Sequence, residues 1–504
     1  MIKKFIHYRK QNRIEYAYVY TPHRVNGKKL NDPEYLGRVI DKVKGVYRNR
    51  KRGLFAYNIE SGYTSVDPDT LLIEPKEEKL ILDFGDAFFL YAVLKKDALY
   101  EVIRSTIPSQ EDTMMSLLGY KLLAGNSNLY AEDWWEGSYT NILYPKAKLH
   151  SQRISEFYNK LGDEAVHRKF FNSYLPLFCE NKKVGVLIDS TGMPNDIHFP
   201  LTAINTHNGV TSNETRLILV VDRKSKMPLF FRYNAGNIVD VSTLRSTIEE
   251  LKAFGINTDF AIVDAGYYSE DNIKDLYGDD SDKKVIPFLT RLGTNLKLYK
   301  QLVSEHVTDL EKSKYMLMQR DRLISIKRVE IELFHHPAYA YVAFDHARRN
   351  EEIYKYEKSI FDSKDDVPYE ERDETIKSKG FFILVSSEKI ETNEVLPLYY
   401  TRETIEQIFD VSKNNVDLLP LRVHSEETFR GHLMLSFIAT TVFLSINQLL
   451  KDTDFNTEGA FTVLRNQKCK VYDDYILPKE ANKKMNVIYK KLKIHCPFSI
   501  PTRN

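Results

Sequence analysis

Two apolar runs that each end in an aspartate constrain this chain more than any other feature. VGVLID (184–189) and DFAIVDAGYYS (259–269) have the unbroken hydrophobicity of strands covered on both faces, with Asp189 and Asp264 where the apolar run stops. Between them, TRLILVVD (215–222) and MPLFFRY (227–233) read as strands joined by the polar turn Arg223-Lys224-Ser225-Lys226. VSTLRSTIEELKAFG (241–255) has helical period and closes on Gly255, and KVIPFLTRL (284–292) supplies a further buried strand. A strand, an antiparallel pair, a helix and buried strands predict a mixed α/β sheet. Carboxylates at the strand ends of such a sheet lie where ligands and metals bind, although Ser190 and Ala265-Gly266 also suit caps and turns.

The flanking segments read differently. Residues 1–80 contain short strands, IEYAYVYT and GLFAYNIESGYTSV, with turns at Asn26-Gly27 and Ser61-Gly62. Residues 81–182 have helical spacing, as in GDAFFLYAVLKKDALYEVIRS. Residues 297–395 hold alternating segments such as RLISIKRVEIELF and AYAYVAF, a charged helical stretch near 348–361, an acidic polar linker at 362–375 and the strand GFFILVSS (380–387), which predicts a largely β insertion. Helical period returns from Leu398 through 455, and 456–504 is a basic C-terminal region.

The formal charge of +2 hides an uneven distribution, because residues 1–52 carry 15 Lys/Arg against 4 Asp/Glu and residues 461–504 carry 10 against 3. Basic ends around an acidic centre suit a protein that holds a polyanion while gathering cations at a catalytic site, and a solvated Lys-rich surface accounts for the charge alone equally well. Cys179, Cys469 and Cys496 have neither metal-site spacing nor the even count of a secreted framework, so a reducing compartment and no zinc are expected. His335-His336 do not alter this, since neighbours on a strand point to opposite faces. No signal peptide is expected at the N-terminus, and Leu433–Leu450, interrupted by Ser436, Thr440 and Asn447, reads as a buried helix rather than a membrane span.

The densest chemistry lies in Tyr399-Tyr-Thr-Arg402-Glu-Thr-Ile-Glu406-Gln-Ile-Phe-Asp-Val-Ser-Lys413. On one helix at about 100° per residue, Arg402 lies roughly 40° from Glu406, with Tyr399 and Lys413 about 20° to either side. Leu398, Ile405, Ile408, Phe409 and Val416 gather on the opposite, core-facing side. A guanidinium and an ammonium grip phosphates, a phenol stacks or donates, and a carboxylate completes an oxygen site for a divalent metal. An ordinary i,i+4 pair, Arg402–Glu406, is the plainer explanation, and Glu403, about 60° from Glu406, is a competing carboxylate.

IDS at Asp189, GNIVDVSTL (236–244), VDAGYYS at Asp264, Tyr-x2-Arg-x3-Glu-x6-Lys (399–413) and RGHLMLSFIA (430–439) together resemble bacterial insertion-sequence transposases of the DDE class, in the branch with the Tyr-Arg-Glu-Lys signature called insertion-sequence family four. The resemblance covers about 184–450. It implies a ribonuclease H-like core in two parts (183–296 and 396–455), interrupted by the mostly β insertion (297–395) and preceded by the basic β-rich region (1–80) and a helical DNA-end-binding region (81–182). It further implies that Asp189, Asp264 and Glu406 are catalytic and hold two Mg²⁺ ions, for which Mn²⁺ can stand in, while Tyr399, Arg402 and Lys413 bind DNA phosphates. The implied activity is cleavage of element ends and joining of the 3′-OH to target DNA. The implied partners are double-stranded DNA, as terminal inverted repeats and target, and a second subunit in a synaptic dimer, without a membrane, in the nucleoid-associated bacterial cytoplasm. A metal-dependent nuclease without strand transfer and a transposase-derived DNA-binding protein are the competing readings. Relatives are expected to hold a flipped base with a Trp in the insertion. Here Trp134 and Trp135 lie before it, leaving Phe334, Tyr339 or Tyr341 as substitutes.

Overall fold

The protein is described by a computed structural model that covers all residues except 1–3, 12–13, 26–27, 67–77, 180–182, 196, 198, 208–209, 239, 279–284, 364–366 and 503–504. The turn expected at Asn26-Gly27 lies outside the described residues. The chain divides into two compact units, one formed by Met1–Leu80 with Val471–Tyr475 and Pro501–Asn504, the other by Ile81–Lys470 with Ile476–Ile500.

In the first unit, β1 (Phe5–Gln11), β2 (Ile14–Val25), β3 (Lys28–Asp41), β4 (Val46–Asn49), β5 (Gly53–Asn58) and β6 (Gly62–Ser65) form a six-stranded antiparallel meander in sequential order. Period-2 alternation sends Ala17, Val19, Leu36, Tyr47, Phe55 and Tyr57 to one face, where they form its core. The strand over Lys28–Asp41 has no apolar alternation to announce it. Pairing with β2 holds it extended.

The second unit starts from the short strand β7 (Leu80–Asp83) and a helical run: α1 (Gly85–Leu94), α2 (Leu99–Thr106), α3 (Glu111–Leu123), α4 (Ala131–Glu136), α5 (Thr140–Leu143), α6 (Ser151–Leu161) and α7 (Glu164–Tyr174). The central sheet follows with β8 (Lys183–Pro194), β9 (Ala203–His207), β10 (Val210–Asp222), β11 (Pro228–Ala235), β12 (Asn257–Val263) and β13 (Phe288–Arg291). Helices α8 (Leu244–Ala253) and α9 (Glu270–Tyr277) flank β12 in sequence. The sheet is mixed: β11, β10 and β8 are antiparallel neighbours, whereas β8, β12 and β13 run parallel.

The segment read as a largely β insertion is different in kind. It opens with α10 (Lys297–His306), and its strands β14 (Met316–Gln319), β15 (Arg322–Leu333), β16 (His336–Asp345) and β17 (Phe381–Ser386) continue the central sheet in the order β13-β17-β16-β15-β14. Two helices, α11 (His346–Ser363) and α12 (Tyr369–Lys377), stand between β16 and β17. Much of the expected acidic linker at 362–375 is thus helical, because its Glu-, Arg- and Lys-rich composition favours helix even without apolar anchors. His335 sits in the hairpin turn with φ of 71°, and not beside His336 on a strand.

Three helices close the core: α13 (Thr392–Tyr400), α14 (Glu403–Asn414) and α15 (Glu426–Leu449). Ser425 starts α15 with a reciprocal capping box to Thr428. Gly431 lets α15 approach α6 closely, since a Cβ there would lie 2.0 Å from the Tyr158 carbonyl oxygen. Among the described residues, α15 is the one helix long and apolar enough to cross a membrane, and 83% of its most apolar window is buried inside the protein. That burial is what a core helix requires.

Candidate active site

Strand register brings the two aspartates together. Ile188 of β8 pairs with Val263 of β12 in parallel, so Asp189 and Asp264, the next residue of each chain segment, emerge at the same level of adjacent strands. Asp189 stays in β8, where its carboxylate accepts from the Ser190 N–H at 2.8 Å, whereas β12 ends and the chain turns at Ala265–Tyr267. The Asp189 side chain is 13% exposed, that of Asp264 38% and that of Glu406 56%. All three face one guanidinium: Arg402 lies 2.7 Å from Asp189, 3.8 Å from Asp264 and 3.0 Å from Glu406.

The segment expected to be one helix is two. Residues 401–402 form a turn between α13 and α14, and Arg402 is the N-cap residue of the second helix. Pro397 lies inside α13. Tyr399, placed on the polar stripe by periodicity, is instead buried, with its hydroxyl donating to Asp264 at 3.2 Å. Ile405, Ile408, Phe409 and Val416 are buried as expected, while Leu398 is only partly so. Lys413 donates to the Thr191 hydroxyl at 2.7 Å and the Gly192 carbonyl at 3.2 Å, tying α14 to the strand that carries Asp189. Ser412, one residue earlier, is bonded to Thr440 of α15 at 3.0 Å, which fixes the other side of α14.

Glu403 turns away from this group and pairs with Arg320 of the β14–β15 hairpin at 2.5 Å, both side chains well exposed at 42% and 56%. An exposed pair of this kind contributes little, so Glu403→Gln is expected to change stability by about 0.5 kcal/mol or less, measured by urea unfolding.

A further set of charges behind Asp189 escaped the sequence reading. Arg216 of β10 reaches the Ser190 hydroxyl at 2.5 Å and Asp240 at 3.1 Å, with Glu214 at 3.8 Å, and Ser190 itself donates to Asp240 at 2.5 Å. Asp240 belongs to the GNIVDVSTL segment, and Glu214 and Arg216 alternate along one strand. That Glu-x-Arg alternation, in the middle of a strand just before its apolar half, was the available signal. Asp240→Asn leaves the largely buried Arg216 poorly paired and is expected to cost about 1.5–3 kcal/mol in chemical denaturation, the range for a hydrogen bond to a charged group.

Electrostatics follow from this packing. Burial pushes the Asp189 carboxyl up to about 6, with Asp264 and Asp240 adding to the rise and Arg402 and the Ser190 N–H opposing it. Burial works against the charge of Arg402, but Asp264, Tyr399, Asp189 and Glu406 more than offset it and hold its pKa above the ordinary value. Burial lowers the Lys413 ammonium, with Glu214 opposing. Burial first, then Asp264, raises the Tyr399 phenol, so it is a donor and not a phenolate.

The donor set Asp189, Asp264 and Glu406 is all carboxylate oxygen, the chemistry a hard divalent cation requires. As the side chains stand, no group of three or more His, Cys, Asp or Glu among the described residues is arranged to hold a metal ion. The Arg402 guanidinium lies between the carboxylates and supplies the positive charge there.

Residues 180–442 match the family described as the transposase DDE domain, a span of just over half the chain. The chain belongs to the transposase DDE-domain family. Within this transposase family match lie β8, β12 and α14 in full, and thus every residue of the acidic group and its Arg402 partner. The match ends inside α15, and no segment of the first unit lies within it. No curated protein matches the chain. Among solved structures, the cryo-EM structure of the piggyBac transposase synaptic complex with hairpin DNA is similar over 76% of this chain and 79% of that chain, at 9% sequence identity and a TM-score of 0.40.

Proposed function

We propose that this DDE-family chain is a cut-and-paste DNA transposase of insertion-sequence family four, in which Tyr399, Arg402, Glu406 and Lys413 are the Tyr-Arg-Glu-Lys signature. The observation that carries the reading is the convergence of Asp189, Asp264 and Glu406 on one guanidinium inside the DDE-domain span. The order β11-β10-β8-β12-β13, with β8 and β12 parallel and β10 and β11 antiparallel to their neighbours, supports a ribonuclease H-like core.

In this mechanism Asp189, Asp264 and Glu406 would hold two Mg²⁺ ions, which would supply activation of a water or 3′-OH for in-line attack and charge stabilisation at the leaving oxygen. The chain's own residues do the positioning. Tyr399 fixes the Asp264 carboxylate by its hydroxyl, and Lys413 holds β8 in place through Thr191 and Gly192. Arg402 neutralises the carboxylates in the resting chain and moves its guanidinium to a DNA phosphate when the substrate arrives, since a guanidinium forks onto phosphate as readily as onto carboxylate. Element ends are bound by the basic N-terminal region and the helical region 81–182, a second subunit completes the synaptic complex, and the protein works at the bacterial nucleoid.

Of the aromatics that could hold a flipped base, Tyr341 is buried with its hydroxyl engaged by the Ile390 backbone at 2.8 Å. Phe334, in the β15–β16 turn and 6.3 Å ring to ring from Tyr268, is the better candidate, because Tyr268 follows Asp264 by four residues. Incubating purified protein with candidate inverted-repeat ends, Mg²⁺ and a target plasmid tests the reading. Joined 3′ ends support transposition, cleavage without joining supports the nuclease reading, and binding without cleavage supports a DNA-binding derivative.

A further inference from the structure

The first unit turns a second face of its sheet to solvent, and that face is composed differently from its core. Pairing places Phe5 opposite Tyr20 and Tyr20 opposite Pro33, His7 opposite Tyr18 and Tyr18 opposite Tyr35, and Arg9 opposite Tyr16 and Tyr16 opposite Arg38. Arg38 is in turn opposite Arg48. These rows carry no carboxylate.

Tyr35 and Arg38 share this face only because of a bulge. Three residues apart on a regular strand they would point to opposite sides. The register of β2 against β3 slips between Ala17 and Tyr18, leaving Leu36 unpaired, and Gly37 takes a φ of 129°. Any Cβ at Gly37 would lie 2.3 Å from the Arg48 carbonyl oxygen, so the bulge needs glycine.

The resulting surface is an aromatic ladder beside a row of guanidiniums. Phe5 stacks on Tyr20 at 5.5 Å, and Tyr35 lies 5.3 Å from Tyr18 and 6.3 Å from Tyr16. Phe5 and Tyr35 are 44% and 47% exposed, and His7, Arg9, Arg38 and Arg48 are exposed as well. Among the described residues, none of the three arginines has an ion-pair partner. Arg38 opposite Arg48 is a like-charge pair that weakens the sheet by itself, and a bound polyanion removes that penalty.

We propose that this face binds single-stranded nucleic acid, stacking unpaired bases on Tyr18, Tyr35 and the rings beside them while Arg9, Arg38 and Arg48 hold the phosphates. Rings that face solvent offer a duplex little, because its bases are already stacked, but every unpaired base presents a π-face to them. Successive rows recur about every 7 Å along the strands, twice the rise per residue, a spacing that an unstacked strand can follow. The site is remote in sequence from the carboxylates and works without metal, so its test is independent of the catalytic reading.

Fluorescein-labelled dT15, U15 and a 15-bp duplex titrated with the full chain in EDTA provide the measurement by anisotropy. Both single strands are expected to bind, with the duplex, which the proposed end-binding regions also hold, as the reference, and the tighter of dT15 and U15 identifies DNA or RNA as the source. Tyr18→Ala with Tyr35→Ala should weaken single-strand binding roughly ten- to a hundredfold, while Tyr18→Phe with Tyr35→Phe should retain it. Arg9→Gln with Arg38→Gln should reduce the salt slope by about 0.7 for each phosphate no longer neutralised. A folded alanine pair that binds dT15 and U15 as the wild type does overturns the proposal, as does an alanine pair that loses duplex binding as steeply as single-strand binding. Photocrosslinking wild-type protein to dT15 carrying 5-bromodeoxyuridine needs no variant: crosslinks within residues 4–48 support this face, and crosslinks confined to other peptides overturn it.

Discussion

Asp189→Asn is expected to lower DNA cleavage by at least about a thousandfold, the several kcal/mol that a metal-holding carboxylate supplies to a transition state. Asp264→Asn and Glu406→Gln should do the same, while end binding in a gel shift stays close to wild type. The three should differ in stability. Asp189 is the one deeply enclosed carboxylate of the group and contacts Arg402 most closely, at 2.7 Å, whereas Glu406 is mostly wet. Glu406→Gln should therefore melt with the wild type and Asp189→Asn should not. Single-turnover cleavage beside thermal unfolding checks both halves, and wild-type-like cutting by any of the three removes that residue from the site.

Arg402→Gln should be costly in two separable ways. The guanidinium is the common counter-charge of three carboxylates and is only 19% exposed, so removing it leaves Asp189 enclosed and unpaired. Breaking a buried pair from one side costs about 3 kcal/mol, at the low end of the usual range because Asp264 and Glu406 reach water. Cleavage should also fall, by about ten- to a hundredfold, if the same group meets a phosphate in the transition state.

The pH dependence has a definite sign. The folded Asp189 carboxyl titrates near 6, above its ordinary 3.8, so the folded state binds the extra proton between those values and stability declines as pH rises through 6. Without Arg402 the folded value moves further up. The variant should then lose most at pH 7–8 and regain part of its stability at pH 5, measured without divalent metal. An Arg402→Gln protein with the wild-type pH profile would show that the guanidinium does not govern Asp189.

The strands of the central sheet were legible in the sequence because a strand covered on both faces has little choice but to be continuously apolar. VGVLID and TRLILVVD fall within β8 and β10, MPLFFRY begins one residue before β11, and DFAIVD ends at β12 and the Asp264 turn. Helix α8 and its stop at Gly255, which takes φ of 78°, follow from local period and a glycine that accepts the left-handed turn. Period alone could not show that residues 401–402 are a turn, because a two-residue break with nearly helical dihedrals leaves the apolar spacing of α14 intact. Nor could it show β3, whose polar residues are held extended by a neighbour, or α12, read as an acidic linker, whose charged sequence forms helix with no buried residue; α11 was legible as the charged helical stretch near 348–361.

For the candidate site, sequence determined the inventory and tertiary structure decided the assembly. Asp189 and Asp264 could be marked as acids at the ends of apolar runs, and Arg402 and Glu406 as neighbours on a helix. That Arg402 bonds Asp189, 213 residues away, depends on the parallel register of β8 and β12 and on the packing of α14 between β8 and α15. The same holds for Arg216, Ser190 and Asp240, which come from a strand, its neighbour and the turn before a helix. Local periodicity reports only which face of its own element a residue occupies, so contacts set by register between distant strands become visible only once the sheet is assembled.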